Sequence, residues 1–262
     1  MWNTYYFNCM SDLDKHFKPK NFSDKVALSF TKFLRLLADT FFKKRYGHRA
    51  VVLETVAAVP GMVAGMLLHL KSLRKIEDDK GWIKTLLDEA ENERMHLMTF
   101  VHIAKPTAVE RFIIMIAQFI FIITYAIIYL VSQRTAHRIV GYFEEEAVVS
   151  YTEYLNELEA GTIPDQPAPE IAINYWNLPL HSTLKDVVKV IRDDEAGHRD
   201  VNHQFADLIN LRNAKKIFTK EDDVKKENNE KILNWLKVLH DYKKRFFKIL
   251  RIIIFNISFF AI

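Results

Sequence analysis

Cysteine, glycine and proline are all scarce in this chain, and each shortage narrows the choice of fold. A single cysteine, Cys9, excludes an internal disulfide framework and a metal site built from thiolates. Seven glycines and seven prolines in 262 residues leave long stretches without either, which favours helices over strands and tight turns. We therefore expect an all-α intracellular protein, in which any metal is held by nitrogen and oxygen atoms.

A large excess of charge and a recognisable targeting segment are also lacking. The net charge of +4 is too small to argue for a nucleic-acid partner, and none is expected. Residues 1–20 have no apolar core behind a basic head, so they do not resemble a secretory signal peptide. They contain two acidic residues and no arginine, which makes them a poor organelle presequence as well.

Helical periodicity covers most of the chain. Residues 1–22 are expected to form an irregular arm, and residues 213–262 a charged and then apolar C-terminal extension whose function the sequence leaves open. Within the domain 23–212, the pattern predicts helices at about 23–45, 47–76, 82–102, 107–133, 137–160 and 182–212, with a loop at 161–170. The first helix mixes aromatic and basic residues, so it either packs on the core or lies in a membrane interface.

Two Glu-x-x-His pairs stand out within these helices. They are Glu93 with His96, in AENERMH, and Glu195 with His198, in DDEAGHRD. Positions i and i+3 share one face of a helix, so each pair can direct an oxygen and a nitrogen to the same point. A competing pair, Asp200 with His203, points to another part of the helix and cannot serve the same bundle core.

Ferritin-like di-iron bundles combine two such pairs with one inward glutamate from each of two further helices. Glu54, flanked by apolar residues on both sides, is one candidate. The other lies in YFEEEAVVSY, where periodicity does not choose among Glu144, Glu145 and Glu146. Four carboxylates would balance two divalent ions, and ligation by oxygen with two imidazoles suits iron or manganese better than zinc or copper(I).

The uncharged run at residues 112–131 is long enough to cross a bilayer. However, half of the candidate ligands precede it and half follow it, so a single crossing would divide the site between the two sides of the membrane. If the metal site exists, this helix must stay on one side of the membrane. We therefore predict a monotopic protein that contacts the lipid of one leaflet through helices 23–45 and 107–133.

Four segments resemble the signatures of the alternative oxidases, the cyanide-insensitive ubiquinol oxidases of mitochondria. They are LETVAAVPGMVAGMLLHLKSLR, EAENERMHLMTF, GYFEEEAVVSYTEYL and DEAGHRDVNH, and the resemblance extends over about residues 24–210. It implies a ferritin-like four-helix bundle with two additional membrane-surface helices and a helical C-terminal tail. It also implies a homodimer on the matrix face of the inner membrane of a mitochondrion or mitochondrion-derived organelle.

The resemblance further assigns site residues, two iron ions as cofactor, and ubiquinol and O₂ as substrates. The implied iron ligands are Glu54, Glu93, His96, Glu144, Glu195 and His198, which selects Glu144 from the acidic triplet. Tyr151 is the implied catalytic, redox-active tyrosine. Supporting residues would be Asn92, His137, Tyr175, Trp176 and Asp194, and the quinol pocket would contain Arg49, Leu53, Glu146, Ala147 and Ser150. The implied reaction reduces O₂ to water without pumping protons.

One departure from the family concerns regulation. His48 stands where plant members carry a cysteine, so the disulfide regulation of those members is not expected here. Two other activities remain open, because a plastoquinol oxidase or a quinone hydroxylase would use the same ligands. A non-enzymatic ferritin-like iron-binding protein is a third alternative, which the uncharged run disfavours.

Overall fold

The structure is a computed structural model that describes residues 13–42, 45–223, 237, 239 and 242–244. It confirms the all-α class, since the described residues form helices and contain no strand beyond one isolated bridge between Pro167 and Thr183. The helices are α1 (Phe22–Phe42), α2 (Tyr46–Lys75), α3 (Trp82–Ala104), α4 (Ala108–Val131), α5 (Gln133–Glu159), α6 (Glu170–Trp176) and α7 (Leu184–Asp223). Cys9 and the final apolar run lie outside the described residues.

The chain divides into two compact units, residues 1–210 and 211–262, and all the candidate site residues belong to the first. The prediction and the structure differ notably at two places, the junction of α4 with α5 and the end of α7. Ser132 alone separates α4 from α5, because its side chain accepts from the Thr135 amide and caps α5 directly after α4 ends. Helix α7 continues through Asp223 rather than ending at residue 212, where the sequence offers neither glycine nor proline to stop it.

Helix α6 was not predicted. Its seven residues are too few to show a helical period in the sequence. It follows Pro169 and ends at Asn177, which adopts a left-handed conformation with φ of +52°. Such an ending is typical of a helix C-terminus, and asparagine tolerates it better than most residues. The importance of α6 lies in the two aromatic residues at its end, Tyr175 and Trp176.

Helices α2, α3, α5 and α7 carry two apolar clusters with the candidate ligands between them. On α2, Ala50 and Val51 belong to the first cluster and Val59 and Val63 to the second, with Glu54 between them. The ligands also lie between the two clusters on the other three helices, with the chain order of the clusters reversed in α3 and α5. There the first cluster includes Phe100, Tyr154 and Val188 and the second Leu86, Val140 and Phe205. The polar site is therefore sealed by apolar side chains along the bundle on both sides.

Helices α1 and α4 expose apolar side chains instead of burying them. Only Ile114, Tyr125 and Tyr129 of α4 are buried. Large exposed residues cover much of the rest of the helix, including Phe112, Ile113, Met115, Ile116, Phe119, Ile120, Ile123, Ile127 and Leu130. Phe33, Leu36 and Leu37 are similarly exposed on α1. By length and composition α2 and α4 are both apolar enough to cross a membrane, but half of the apolar window of α2 is buried, against 17% of that of α4.

Candidate metal centre

The structure brings the six candidate ligands together in the middle of the bundle. Ligand atoms of Glu54, Glu93, His96 and Glu195 all lie within 4.8 Å of one another. A second group, Glu93, Glu144, Glu195 and His198, meets the same criterion. Glu93 and Glu195 belong to both groups, so the geometry offers two adjacent metal positions with two shared carboxylates. Each position also has its own glutamate and its own histidine.

The imidazole nitrogens face the carboxylates at short range. His96 Nδ1 lies 3.3 Å from Glu54 Oε2, 3.4 Å from Glu93 Oε2 and 3.2 Å from Glu195 Oε1. His198 Nδ1 lies 2.7 Å from Glu93 Oε1 and 3.7 Å from Glu195 Oε2. The helical i, i+3 spacing of each Glu-x-x-His pair therefore delivers both of its side chains to one point, as the sequence predicts.

The donor set fits a pair of metal ions. Several of these buried atoms have no hydrogen-bond partner, among them Glu54 Oε2, both oxygens of Glu93, His96 Nδ1, Glu195 Oε2 and His198 Nδ1. Unpartnered buried polar atoms are rare and costly, and here they converge on one small volume. Two cations at that point would satisfy them all, with the oxygen-rich mixed ligation that iron and manganese accept.

The electrostatics of the cluster also indicate missing positive charge. Burial raises the pKa of Glu54 and of Glu144 well above the ordinary value, and the neighbouring carboxylates Glu195 and Glu93 raise it further. Burial alone would lower the pKa of His96 and of His198, yet the surrounding carboxylates raise it well above 6.5. Protons on these groups thus offset a concentration of negative charge that bound cations would otherwise neutralise.

A second set of side chains fixes His96. Its Nε2 lies 3.3 Å from Asp194 Oδ2, the same oxygen that accepts from Asn92 Nδ2 at 3.0 Å and from Trp176 Nε1 at 2.8 Å. Asn92 Nδ2 also lies 3.2 Å from the Tyr175 hydroxyl. The imidazole is stacked near the Trp176 ring, with 5.8 Å between centroids. A carboxylate on the outer nitrogen of a histidine selects its tautomer and orientation, which is typical of metal ligands.

His137 reaches the site only indirectly. Its Nδ1 lies 3.0 Å from Asn202 Oδ1, and Asn202 Nδ2 donates to the His198 carbonyl oxygen at 3.0 Å. Asn202 Nδ2 also donates to Glu89, at 2.8 Å and 3.0 Å from its two oxygens. Glu89 and Asn202 were not predicted as residues of the site. Burial raises the pKa of Glu89 to about 7, and its position four residues before Glu93 was the signal that it shares the inward face of α3.

Helical periodicity did not choose among Glu144, Glu145 and Glu146, but in the structure each of the three has different neighbours. Glu144 points into the cluster of ligands. Glu145 contacts His16 and His203, so His203 makes a hydrogen bond to this carboxylate and does not join the metal ligands. Asp200 is paired with Lys15 and Arg199. Glu146 contacts Lys32 and Arg35 of α1.

A cavity of about 590 Å³ lies beside the ligands. Its wall contains Glu54, Glu144 and Glu195 at one end, and Ala117, Ile120, Phe121 and Thr124 of α4 elsewhere. The remaining lining includes all five predicted quinol residues, Arg49, Leu53, Glu146, Ala147 and Ser150, together with Tyr151. Because Ile120 is also 59% exposed, the cavity extends to the apolar face of α4.

Tyr151 lines this cavity together with the ligands Glu54, Glu144 and Glu195. Its hydroxyl donates to Glu54 Oε1. Burial and the neighbouring charge of Glu54 raise the pKa of Tyr151 well above 10, so it is a neutral phenol at physiological pH. The ring is stacked with Phe100, at 5.8 Å between centroids, which holds it in this position.

Two charged residues of α1 that were not predicted as site residues lie at or next to the cavity. Arg35 lines the cavity and donates to Asp39, Glu146 and Glu153. Asp39 Oδ1 lies 2.6 Å from Arg49 Nη1. The i, i+4 spacing of Arg35 and Asp39 was a signal for a fixed pair, but nothing in the sequence placed α1 against α5.

The family model for the alternative oxidases matches residues 8–207. The chain is 58% identical over 207 residues to a protein named alternative oxidase 3, mitochondrial, of Glycine max, covering 79% of this chain and 64% of that protein. It is 58% identical over 209 residues to ubiquinol oxidase 2, mitochondrial, of Arabidopsis thaliana, covering 80% and 59%. The corresponding protein of Nicotiana tabacum is 59% identical over 207 residues, covering 79% and 70%. The chain thus spans about three fifths of the length of the first two relatives.

Proposed function

Because this chain belongs to the alternative oxidase family, we propose that it is a di-iron ubiquinol oxidase that reduces O₂ to water. The observation that carries this proposal is the pair of four-residue ligand groups sharing Glu93 and Glu195, directly beside an apolar cavity. Relatives at 56–59% identity bear the name mitochondrial ubiquinol oxidase or alternative oxidase, which supports the same substrate and compartment.

Six side chains would hold the two iron ions. Glu54 and His96 would hold one ion and Glu144 and His198 the other, while Glu93 and Glu195 belong to both groups of ligands. The chemistry supplied by two bound iron ions is the reduction of O₂ with electrons taken from ubiquinol. The two apolar clusters lie on either side of the site along the bundle, which would limit the access of water from those two directions.

The cavity suits a quinol in both shape and polarity. Its apolar wall, built from α1, α2 and α4, would receive the isoprenoid tail from the lipid side. Arg49 and Ser150 offer donors and Glu146 an acceptor for the oxygens of the head group. Tyr151 lines the same cavity and donates to Glu54, so it is placed to pass a proton or an electron between the head group and the ligands.

The energy of the reaction would not be stored as a proton gradient. Two ubiquinols release four electrons and four protons, and one O₂ consumes four of each, so the reaction balances without moving protons across the membrane. We propose that α1 and α4 lie in one leaflet of the inner membrane, on its matrix face, because their exposed apolar side chains require a lipid environment.

A homodimer is part of the proposal as well. The exposed apolar residues Met62, Met66, Leu70 and Leu73 recur at helical spacing on α2. A second copy of the chain covering this stripe would remove it from water, and crosslinking in detergent would detect such a dimer.

The decisive experiment measures cyanide-resistant, ubiquinol-dependent O₂ uptake and iron content in the same purified sample. Glu54→Ala should lose both iron and activity, because it removes a carboxylate that belongs to only one of the two metal positions. Glu77→Ala is a matched control, since Glu77 is exposed just beyond the end of α2. An iron-loaded wild-type chain that consumes no O₂ with ubiquinol would refute the proposal. Product analysis with ubiquinol and plastoquinol separates oxidation from ring hydroxylation and defines the quinol.

A further inference from the structure

The irregular residues 13–21, here called the N-terminal strap, lie against α5 and α7 close to the metal ligands. The backbone amide of Phe17 donates to Glu145 Oε1 at 2.8 Å, and His16 Nδ1 contacts Glu145 Oε2. On the other helix, Arg199 Nη1 donates to the carbonyl oxygen of Lys15 at 3.3 Å. The strap therefore ties together two helices that are distant from it in sequence.

The ring of Phe17 anchors the strap. It lies under the guanidinium of Arg138, with 3.6 Å between the carbon of that group and the ring centroid, and it is stacked with His203 at 4.9 Å. The Tyr142 hydroxyl donates to the Phe17 carbonyl oxygen at 3.1 Å. Arg138 is fully buried, so this cation–π contact is shielded from water, where such contacts are strongest.

The residues that the strap holds are direct neighbours of ligands. Glu145 follows Glu144 on α5, and Arg199 follows His198 on α7. Both residues are nearly fully buried, at 8% and 1% exposure. The strap contacts add to those that His203 makes with Glu145 and Asp200 makes with Arg199. Glu144 and His198 are the two ligands that belong only to the second metal position.

The first metal position has different supports. Tyr151 donates to Glu54, and Asp194 contacts the outer nitrogen of His96. Neither contact involves the strap. The two halves of the centre are therefore held by separate sets of side chains, one of them inside the bundle and the other including the N-terminal strap.

We propose that the N-terminal strap is a positioning element for the metal ion bound by Glu144 and His198, and not for the ion bound by Glu54 and His96. By fixing Glu145 and Arg199, it sets the place where α5 and α7 present these two ligands. This inference rests on the proposed function only in requiring two metal ions. Contacts outside the ligand set typically change metal affinity about 10- to 100-fold when they are removed.

The test uses the full chain in detergent, loaded anaerobically with Fe²⁺ and then exposed to increasing concentrations of an iron(II) chelator. In Phe17→Ala, one equivalent of iron should be lost at about 10- to 100-fold lower chelator concentration than in the wild type, while the second is retained as before. Phe22→Ala is the matched control, because it makes the same change five residues away at a side chain that is 81% exposed. Phe17→Tyr keeps the ring and should restore wild-type retention.

Circular dichroism at 222 nm checks that each variant is folded. If Phe17→Ala does not fold, His16→Ala carries the test, since it removes one contact to Glu145 from a side chain that is 48% exposed. Parallel loss of both iron equivalents, or no change in either, overturns the role of the strap. A wild-type chain that binds two iron ions but oxidises no ubiquinol overturns only the proposed function. A wild-type chain that binds no iron overturns both.

Discussion

Replacing Gly61 by alanine tests how closely α2 and α3 must approach to bring Glu54 to the ligands of α3. A Cβ atom at this position would lie 3.0 Å from Ala90 Cβ and 3.2 Å from the Ala90 amide nitrogen, and closer still to the carbonyl oxygen of Leu86. Two of these three atoms belong to the backbone, so no rotamer change relieves the contact. The helices would have to separate by roughly 1 Å to restore ordinary van der Waals distances.

The expected change in the free energy of unfolding combines two opposing contributions, overpacking and helix propensity. Overpacking a close contact costs about 1–3 kcal/mol, and the backbone nature of this clash places it at the upper end. Alanine recovers about 1 kcal/mol through its better helix propensity. We therefore expect Gly61→Ala to reduce the free energy of unfolding by about 2 kcal/mol. It should also weaken iron binding, because metal sites tolerate displacements of only about 0.5 Å.

Gly197→Ala provides the matched control, since it makes the same change in another helix of the bundle. A Cβ atom there would meet nothing within 4 Å, so only the propensity term remains. The free energy of unfolding of Gly197→Ala should exceed that of the wild type by about 1 kcal/mol. Both values are measured by urea unfolding of the metal-free chain in detergent, followed at 222 nm. The reasoning is refuted if Gly61→Ala is as stable as the wild type, or if Gly197→Ala is less stable.

Three further changes test the site and its surroundings. Tyr151→Phe removes the hydroxyl that donates to Glu54, so ubiquinol oxidation should fall about 100-fold while the iron content per chain stays at the wild-type level; loss of iron would contradict this. Burial raises the pKa of Glu89 from 4.5 to about 7, so the folded chain keeps a proton that the unfolded chain releases. Stability of the metal-free chain should therefore fall by about 3 kcal/mol as the pH rises from about 4.5 to 7, and Glu89→Gln should flatten this dependence in urea unfolding at a series of pH values. Asp24→Ala leaves the fully buried Arg138 without one of its carboxylates, which should reduce the free energy of unfolding by about 3–5 kcal/mol; a loss below about 1 kcal/mol would show that Asp207 compensates.

Local spacing in the sequence was sufficient for the helices and for the two Glu-x-x-His pairs. Each pair depends only on the 3.6-residue period, which places residues i and i+3 on one face wherever the helix lies. The scarcity of glycine and proline predicted the all-α class for a similar reason, since helix formation is largely a property of the segment itself. Short helix α6 escaped notice because seven residues do not establish a period.

The acidic triplet shows where local spacing fails. Helix α5 is buried on several faces, including Ala136, Ile139, Tyr142 and Val148, so it has no single apolar stripe from which to judge which glutamate points inward. Only the resemblance to a family selected Glu144. The contacts that distinguish Glu145 and Glu146 come from distant residues, 58 positions away for His203 and more than 100 for Phe17 and Arg35.

The sequence by itself determined the six long helices and the types of ligand available, because both depend on neighbours within a few residues. Tertiary structure alone decided which acids meet the histidines, how a cavity reaches them from the apolar face of α4, and how residues 15–17 come to lie beside Glu145 and Arg199. Those arrangements depend on contacts between segments that are distant in the sequence. The hydrophobic pattern of one segment does not specify which other segment it will pack against.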